Sequence, residues 1–159
     1  MVVMMAEDVV IRTAEEIKER LKEYFIEYEL KPFAKGKCVF MRIRKEGIRE
    51  AAEALFNEFD AKLNTVSAVE HASFFELIYH FSLPERGVLV NLRIETGKDE
   101  SVDSITPLIP GANFIEREIH DLFGVRFEGH PDFRRVILPD DWPEGVHPLR
   151  KGYKLEKRR

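Results

Sequence analysis

The chain has 159 residues, 44% hydrophobic and 34% charged, enough for one domain, or one domain with an extension, around a real core. A net charge of −4 argues against a general nucleic-acid binder, and the single Cys38 excludes an internal disulfide and a cysteine-ligated iron–sulfur cluster held by this chain alone. No apolar run approaches the roughly 18 residues of a membrane span and the start lacks a signal-peptide layout, so a cytoplasmic protein is expected, with any membrane tether supplied by other subunits.

Residues 1–11 are apolar-leaning and read as a short strand or a frayed end. Thr13 and Glu16 then match a capping box, and Ala14, Ile17, Leu21, Tyr24 and Tyr28 recur at helical intervals, which predicts a helix closed by Pro32. From Lys37 to Ile43 the pattern alternates. Val39, Met41 and Ile43 share one face of a predicted strand and Cys38, Phe40 and Arg42 the other, with Cys38 at the core edge.

Ile48, Ala51, Ala52, Leu55 and Phe59 mark a second amphipathic helix. Leu63 to Val69 reads as a strand. Phe75, Leu77, Tyr79 and Phe81 alternate in the next one, and Val88, Val90, Leu92 and Ile94 in the one after. Pro84 to Gly87 supplies the turn of an antiparallel hairpin between those last two. Residues 101–110 are expected to form a loop or short helical turn. The sum is an α+β fold, with helices on one face of a mostly antiparallel sheet.

The stretch 111–151 organises the rest. Ile115, Ile119, Leu122 and Phe123 fall on one helical face, and Gly124 stops the helix. Glu116, Arg117, Glu118 and Asp121 are expected on the remaining surface, with Arg117 pairing Asp121 and Glu116 pairing a protonated His120. Beyond residue 128, Pro131, Pro139, Pro143 and Pro148 are too close together for a helix, and each pushes its predecessor toward extended geometry. Residues 129–151 could reach on the order of 70 Å, at roughly 3.3 Å per residue. Ordering that backbone costs roughly 1–2 kcal/mol per residue, more than its few apolar side chains offset, so it needs a larger surface, its own domain or a partner. Three parts are expected: an α+β domain over 1–110, a motif helix and turn over 111–128, and a partner-binding tail over 129–159. From Pro143 onward the chain carries +4 and the remainder −8, which suits an acidic partner before it suits RNA.

Local catalytic signatures are weak. Glu116 and His120 stand four apart, a spacing open to one metal, but a site needs further ligands such as His130 or His147, and a second metal-ligand motif is missing. Glu118 and Asp121 have no feature that separates their pKa values, and His71 and His80 read as ordinary hydrogen-bonding residues. Nucleotide and nucleophilic-hydrolase motifs are absent. Absent glutamine and only four asparagines, with abundant Glu, Lys and Arg, hint at a thermophilic source.

The run E-R-E-I-H-D-L-F from Glu116, then His130, Arg134, Val136 and Ile137 at fixed spacing, resembles the signature of the 30 kDa subunit family of respiratory complex I, the NADH–quinone oxidoreductase. G-H-P-D-F-R-R-V-I-L-P-D-D-W and P-L-R-K resemble the same family's tail. The resemblance implies a cofactor-free structural and assembly subunit of a peripheral arm on the cytoplasmic side of the membrane, lying against a catalytic large subunit. Iron–sulfur clusters, and in one branch nickel–iron, would belong to partner subunits. Carried over by position, the implied contact residues are Glu116, Arg117, Glu118, Asp121, Gly129, His130, Pro131, Arg134, Arg135, Trp142, Leu149, Arg150 and Lys151. Three positions depart from the complex I pattern. His120 replaces Tyr or Trp and is similar to the branch in archaeal membrane-bound [NiFe] hydrogenases. Phe114 replaces a frequent Trp, and Gly152 stands where Asp commonly follows P-L-R-K. The hydrogenase branch is therefore ranked first, and a quinone-linked or sulfur-reducing complex second. Behind them stand a small metal enzyme built on Glu116, His120 and His130, and an RNA-binding tail over 150–159.

Overall fold

The computed structural model describes residues 2–31 and 38–154, with side chains from residue 8 onward. Strong alternation in the middle of the chain sets its main layer. Strands β1 (Phe25–Lys31), β2 (Cys38–Ile43), β3 (Lys62–Glu70), β4 (Phe74–Leu83) and β5 (Val88–Gly97) form one sheet, in the order β1-β2-β5-β4-β3. Every neighbouring pair is antiparallel except β2 and β5, which run parallel. In register, Phe81 faces Val90, Tyr79 faces Leu92 and Leu77 faces Ile94, all buried. Burying each such side chain contributes roughly 1.5–3 kcal/mol, which makes this hairpin the centre of the core.

Helices cover that face. In α1 (Val2–Arg20), Val10, Ala14, Ile17 and Leu21 at its end are buried, and in α2 (Ile48–Asn57) so are Ile48, Ala51, Ala52 and Leu55. Helix α3 (Asn113–Phe123) reaches the same side, where the Phe123 ring meets the edge of Phe75 at 6.4 Å. The opposite face carries polar chains: Arg93 bonds Glu76, and His80 links Ser67 to Asn91. His80 thus makes the ordinary bonds expected of it. His71 instead stacks on Phe74 at 4.4 Å.

The predicted N-terminal layout needs correction. Residues 2–11 belong to α1, neither strand nor frayed end, and Thr13 lies mid-helix, where its hydroxyl donates to the Val9 carbonyl at 2.7 Å and caps nothing. The helix ends at Arg20, so Tyr24 and Tyr28 are not its continuation; Tyr28 pairs with Met41 across β1 and β2. The cause is composition: aromatic and β-branched residues 24–28 suit a strand, and their helical interval is coincidental. Pro32 and Lys37 lie outside the described residues. Within 101–110 the chain forms a short strand β6 (Ser101–Asp103), parallel to β7 (Arg126–Glu128), where a loop or helical turn was expected. This pairing brings the start and end of the motif region together.

Candidate functional site

Helix α3 ends as its sequence predicts. Gly124 adopts a left-handed φ of 79° and its N–H bonds the His120 carbonyl at 2.7 Å. A side chain is excluded there twice over, because a Cβ would also stand 2.5 Å from Nε2 of His147. The helix faces, however, differ from the amphipathic expectation. Glu116 is 0% and Asp121 2% exposed, so both point inward instead of outward.

Each buried carboxylate is satisfied by donors distant in the chain. Glu116 accepts the Ser104 hydroxyl at 2.5 Å, the Ile105 N–H at 2.8 Å and the Thr106 hydroxyl at 2.8 Å. Burial pushes its carboxyl above the ordinary range, and these donors pull the other way without overcoming it. Beside it, the almost fully buried His130 side chain places Nε2 3.8 Å from Glu116 and 3.3 Å from the Asn113 carbonyl. Its Nδ1 accepts the Asp132 N–H at 3.1 Å, so the network assigns the ring proton to Nε2. The expected Glu116–His120 pair is absent; His120 gives Nδ1–H to the Val125 carbonyl at 2.9 Å. Burial, the largest influence, holds the His120 imidazole below its usual range.

Asp121 performs the second task. One oxygen, Oδ2, accepts the backbone N–H groups of Val136, Ile137 and Leu138 at 2.9, 2.8 and 3.2 Å. Burial raises its carboxyl, but the three N–H groups outweigh that and leave it below the ordinary range. Arg117 is therefore not Asp121's partner. It aims Nε and Nη2 at the carbonyls of Arg134 (2.6 Å) and Arg135 (2.9 Å), so helix and tail exchange donors and acceptors in both directions.

The segment after β7 has neither helix nor strand through residue 154, and its carbonyls need other donors. Arginines supply them. Arg135 Nη1 reaches the carbonyls of Pro139, Asp140 and Trp142, and Arg150 Nε bonds the Phe123 carbonyl at the open end of α3 (2.8 Å). Trp142 Nε1–H closes a turn on Val146 at 2.9 Å. Further on, the Leu149 N–H returns to the Leu122 carbonyl and the Lys151 N–H to Glu70. The ribbon thus turns repeatedly along its own domain, where full extension would have carried it far away. Phe133 wedges between His120 and His130, at centroid distances of 4.3 and 5.3 Å.

The motif residues consequently divide. Glu116, Asp121 and His130 are used inside; Arg117, Arg135, Trp142 and Arg150 tie tail to helix. Glu118, Gly129, Pro131, Arg134 and Lys151 are exposed, with Arg134 paired to Asp132, whose carboxyl is lowered to about 2 by that hydrogen bond. Large apolar side chains accompany them: Phe114 is 65%, Ile137 51% and Leu149 53% exposed, with Arg117 over the Phe114 ring at 5.4 Å. Ser104, Thr106, Asn113, Phe133 and Glu70 complete the arrangement, and nothing in chain order marks them; His147, expected from the sequence only as a metal ligand, joins them. The Glu116–His120–His130 metal reading is corrected here: His120 turns to Val125, and among the described residues no three His, Cys, Asp or Glu groups converge on one point.

A charged helix that buries two carboxylates, Asp121 against a returning, loop-built arm and Glu116 against residues 104–106, defines an architectural class, an α+β domain with a structured extension. The Phe-Ile-Glu-Arg-Glu-Ile-His-Asp helix and the arm lie within a stretch, residues 41–159, that matches the family of the respiratory-chain NADH dehydrogenase 30 Kd subunit, and the chain belongs to that family. Over 81 residues it is 46% identical to the C subunit of NADH-quinone oxidoreductase from Mesorhizobium japonicum, covering 51% of this chain and 39% of that protein. The chain thus spans about half or less of the length of the curated relatives it matches. In fold it is similar to a chain of the membrane-bound sulfane sulfur reductase, an archaeal respiratory membrane complex, with TM-score 0.74, 24% identity, and coverage of 91% of this chain and 86% of that one. It is also similar to the trypsin-resistant fragment of Nqo5, with TM-score 0.63, 25% identity, and coverage of 78% and 98%.

Proposed function

We propose that this chain is a structural and assembly subunit in the peripheral arm of a membrane-bound multisubunit redox complex, and that the outward half of its motif docks on the catalytic large subunit. The carrying observation is the division of the motif. Its buried carboxylates are engaged within the chain, Asp121 with the arm and Glu116 with residues 104–106, while Phe114, Ile137 and Leu149 are the most exposed large apolar side chains among the described residues. Exposed apolar surface rimmed by charged residues, as Arg117 and Arg134 rim this motif, supports a reading as protein–protein contact. Asp121 and His130 then contribute by shaping the arm and Glu116 by fixing residues 104–106 beside the helix; Glu118, Gly129, Pro131, Arg134, Leu149 and Lys151 meet the partner. The three-part division at 110 and 128 belongs to the same reading, with the tail as the partner-binding part.

In this reading the chain carries no redox cofactor, and clusters or nickel–iron reside in neighbouring subunits. None of the described helices is long and apolar enough to cross a membrane, which suits attachment at the cytoplasmic face through other subunits. The hydrogenase branch is favoured by His120 within E-R-E-I-H-D, with a sulfur-reducing or quinone-linked complex as the second reading; nickel-binding cysteine pairs in the adjacent large subunit separate them. The test is co-purification. Phe114→Glu and Leu149→Glu should leave the isolated fold unchanged by circular dichroism and abolish retention of the large subunit. Unimpaired retention, or stoichiometric iron or nickel in the isolated chain, overturns the proposal.

A further inference from the structure

Between the β3–β4 turn, Lys98 after β5 and the last described part of the arm lies an open bowl of about 1140 Å³. Lys98, Arg150, Lys151 and Lys154 line it. Among the described residues its one carboxylate is Glu70, already taken by Lys98 Nζ at 2.7 Å and by the Lys151 N–H at 2.6 Å. A chain of net charge −4 therefore gathers here, among its described residues, four cations around a single carboxylate that is itself engaged. Lys98 and Arg150 lie over the Phe75 ring at 5.9 and 5.2 Å, which holds two of the charges in place. Trp142 and Tyr153, 6.4 Å apart, form the apolar wall.

We propose that this bowl receives an acidic segment of a neighbouring subunit, its carboxylates on Lys98, Lys151 and Lys154 and an apolar side chain against Trp142 and Tyr153. The inference rests on the docking role above and names the chemistry of one contact. Three physical points favour this occupant. The bowl is open and exceeds the roughly 300–1,000 Å³ of small-molecule sites. Like charges held together in a chain of opposite net sign repel one another and are relieved by a complementary surface. The aromatic wall sits beside the cations, as at interface sites where an apolar anchor is ringed by charge.

The experiment is zero-length carbodiimide cross-linking of the assembled complex, read by mass spectrometry, since this reagent joins lysine amines to carboxylates in direct contact. Lys98, Lys151 and Lys154 should join Asp or Glu residues of another subunit. A chain carrying Lys151→Glu and Lys154→Glu should lose those products and be released from the complex at least tenfold more readily as salt rises. Lys62→Glu, on exposed β3, should behave as the native chain does. These substitutions spare the fold, because the internal contact of Lys151 is made by its backbone N–H. Cross-links confined to this chain's own carboxylates, or blocked by inorganic phosphate alone without any intersubunit product, overturn the bowl and leave the docking reading intact. A chain that co-purifies with no other subunit overturns both.

Discussion

Replacing Asp121 with Ala tests how the arm is held. The substitution removes one carboxylate oxygen that accepts three backbone N–H groups at 2.8–3.2 Å. A hydrogen bond to a charged group contributes about 1.5–3 kcal/mol, and a buried donor left unsatisfied costs about 1–3 kcal/mol. Because Val136 to Leu138 are only half-buried or exposed, water would re-satisfy part of the loss. A net local cost of about 3 kcal/mol is expected, on the order of 100-fold in the opening equilibrium of the arm. Hydrogen exchange of the Val136, Ile137 and Leu138 amides should accelerate by that factor, and trypsin should cut after Arg134 or Arg135 sooner. The β4–β5 amides should keep their protection, since the core hairpin does not depend on the arm. Asp121→Asn retains an acceptor oxygen without charge and should fall between. Unchanged protection at Val136–Leu138 in the Ala variant would refute the clamp.

Other expectations follow from the same geometry. Gly124→Ala should loosen the arm by at least about 1–2 kcal/mol of left-handed backbone cost, and removing the clashing ring with His147→Ala should recover the steric part alone, as read by thermal unfolding. Arg117→Lys cannot span the Arg134 and Arg135 carbonyls with one fork, so it should raise exchange at the arm while leaving the melting of the sheet nearly unchanged. Acid stability should carry opposing signs. The contribution of Asp121, whose folded carboxyl is lowered, is present above pH 3.8 and lost as pH falls through its folded value. That of Glu116, whose folded carboxyl is raised, is present below pH 4.5 and lost as pH rises through its folded value. Urea titrations across pH 3–7 should therefore show a flatter acid limb for Asp121→Asn and greater neutral-pH stability, relative to acid, for Glu116→Gln. His120, lowered by burial, favours folding when neutral, so stability should decline as pH falls below 6.5, and His120→Phe should remove that slope.

Much of this protein is local in origin. Alternating Phe75, Leu77, Tyr79 and Phe81 and the matching series from Val88 determine strands wherever the chain goes, because period-two burial is a property of neighbouring residues. The spacing in α2 and α3 and the stop at Gly124 are legible for the same reason, and so is the motif that carries the family. The tyrosines at 24 and 28 show where periodicity misleads: helical spacing and strand-forming residue types coincide, and pairing with Met41 decides.

What tertiary structure alone decided is the destination of charge. Nothing in E-R-E-I-H-D tells Glu116 and Asp121 from Glu118, yet two of the three are buried and one is exposed. Burial of a carboxylate depends on donors that other segments deliver, here Ser104 to Thr106 and Val136 to Leu138, and delivery depends on the parallel meeting of β6 with β7 and on the arm's return. A sequence reports which groups need partners; only packing across ten or more residues brings the partners to them.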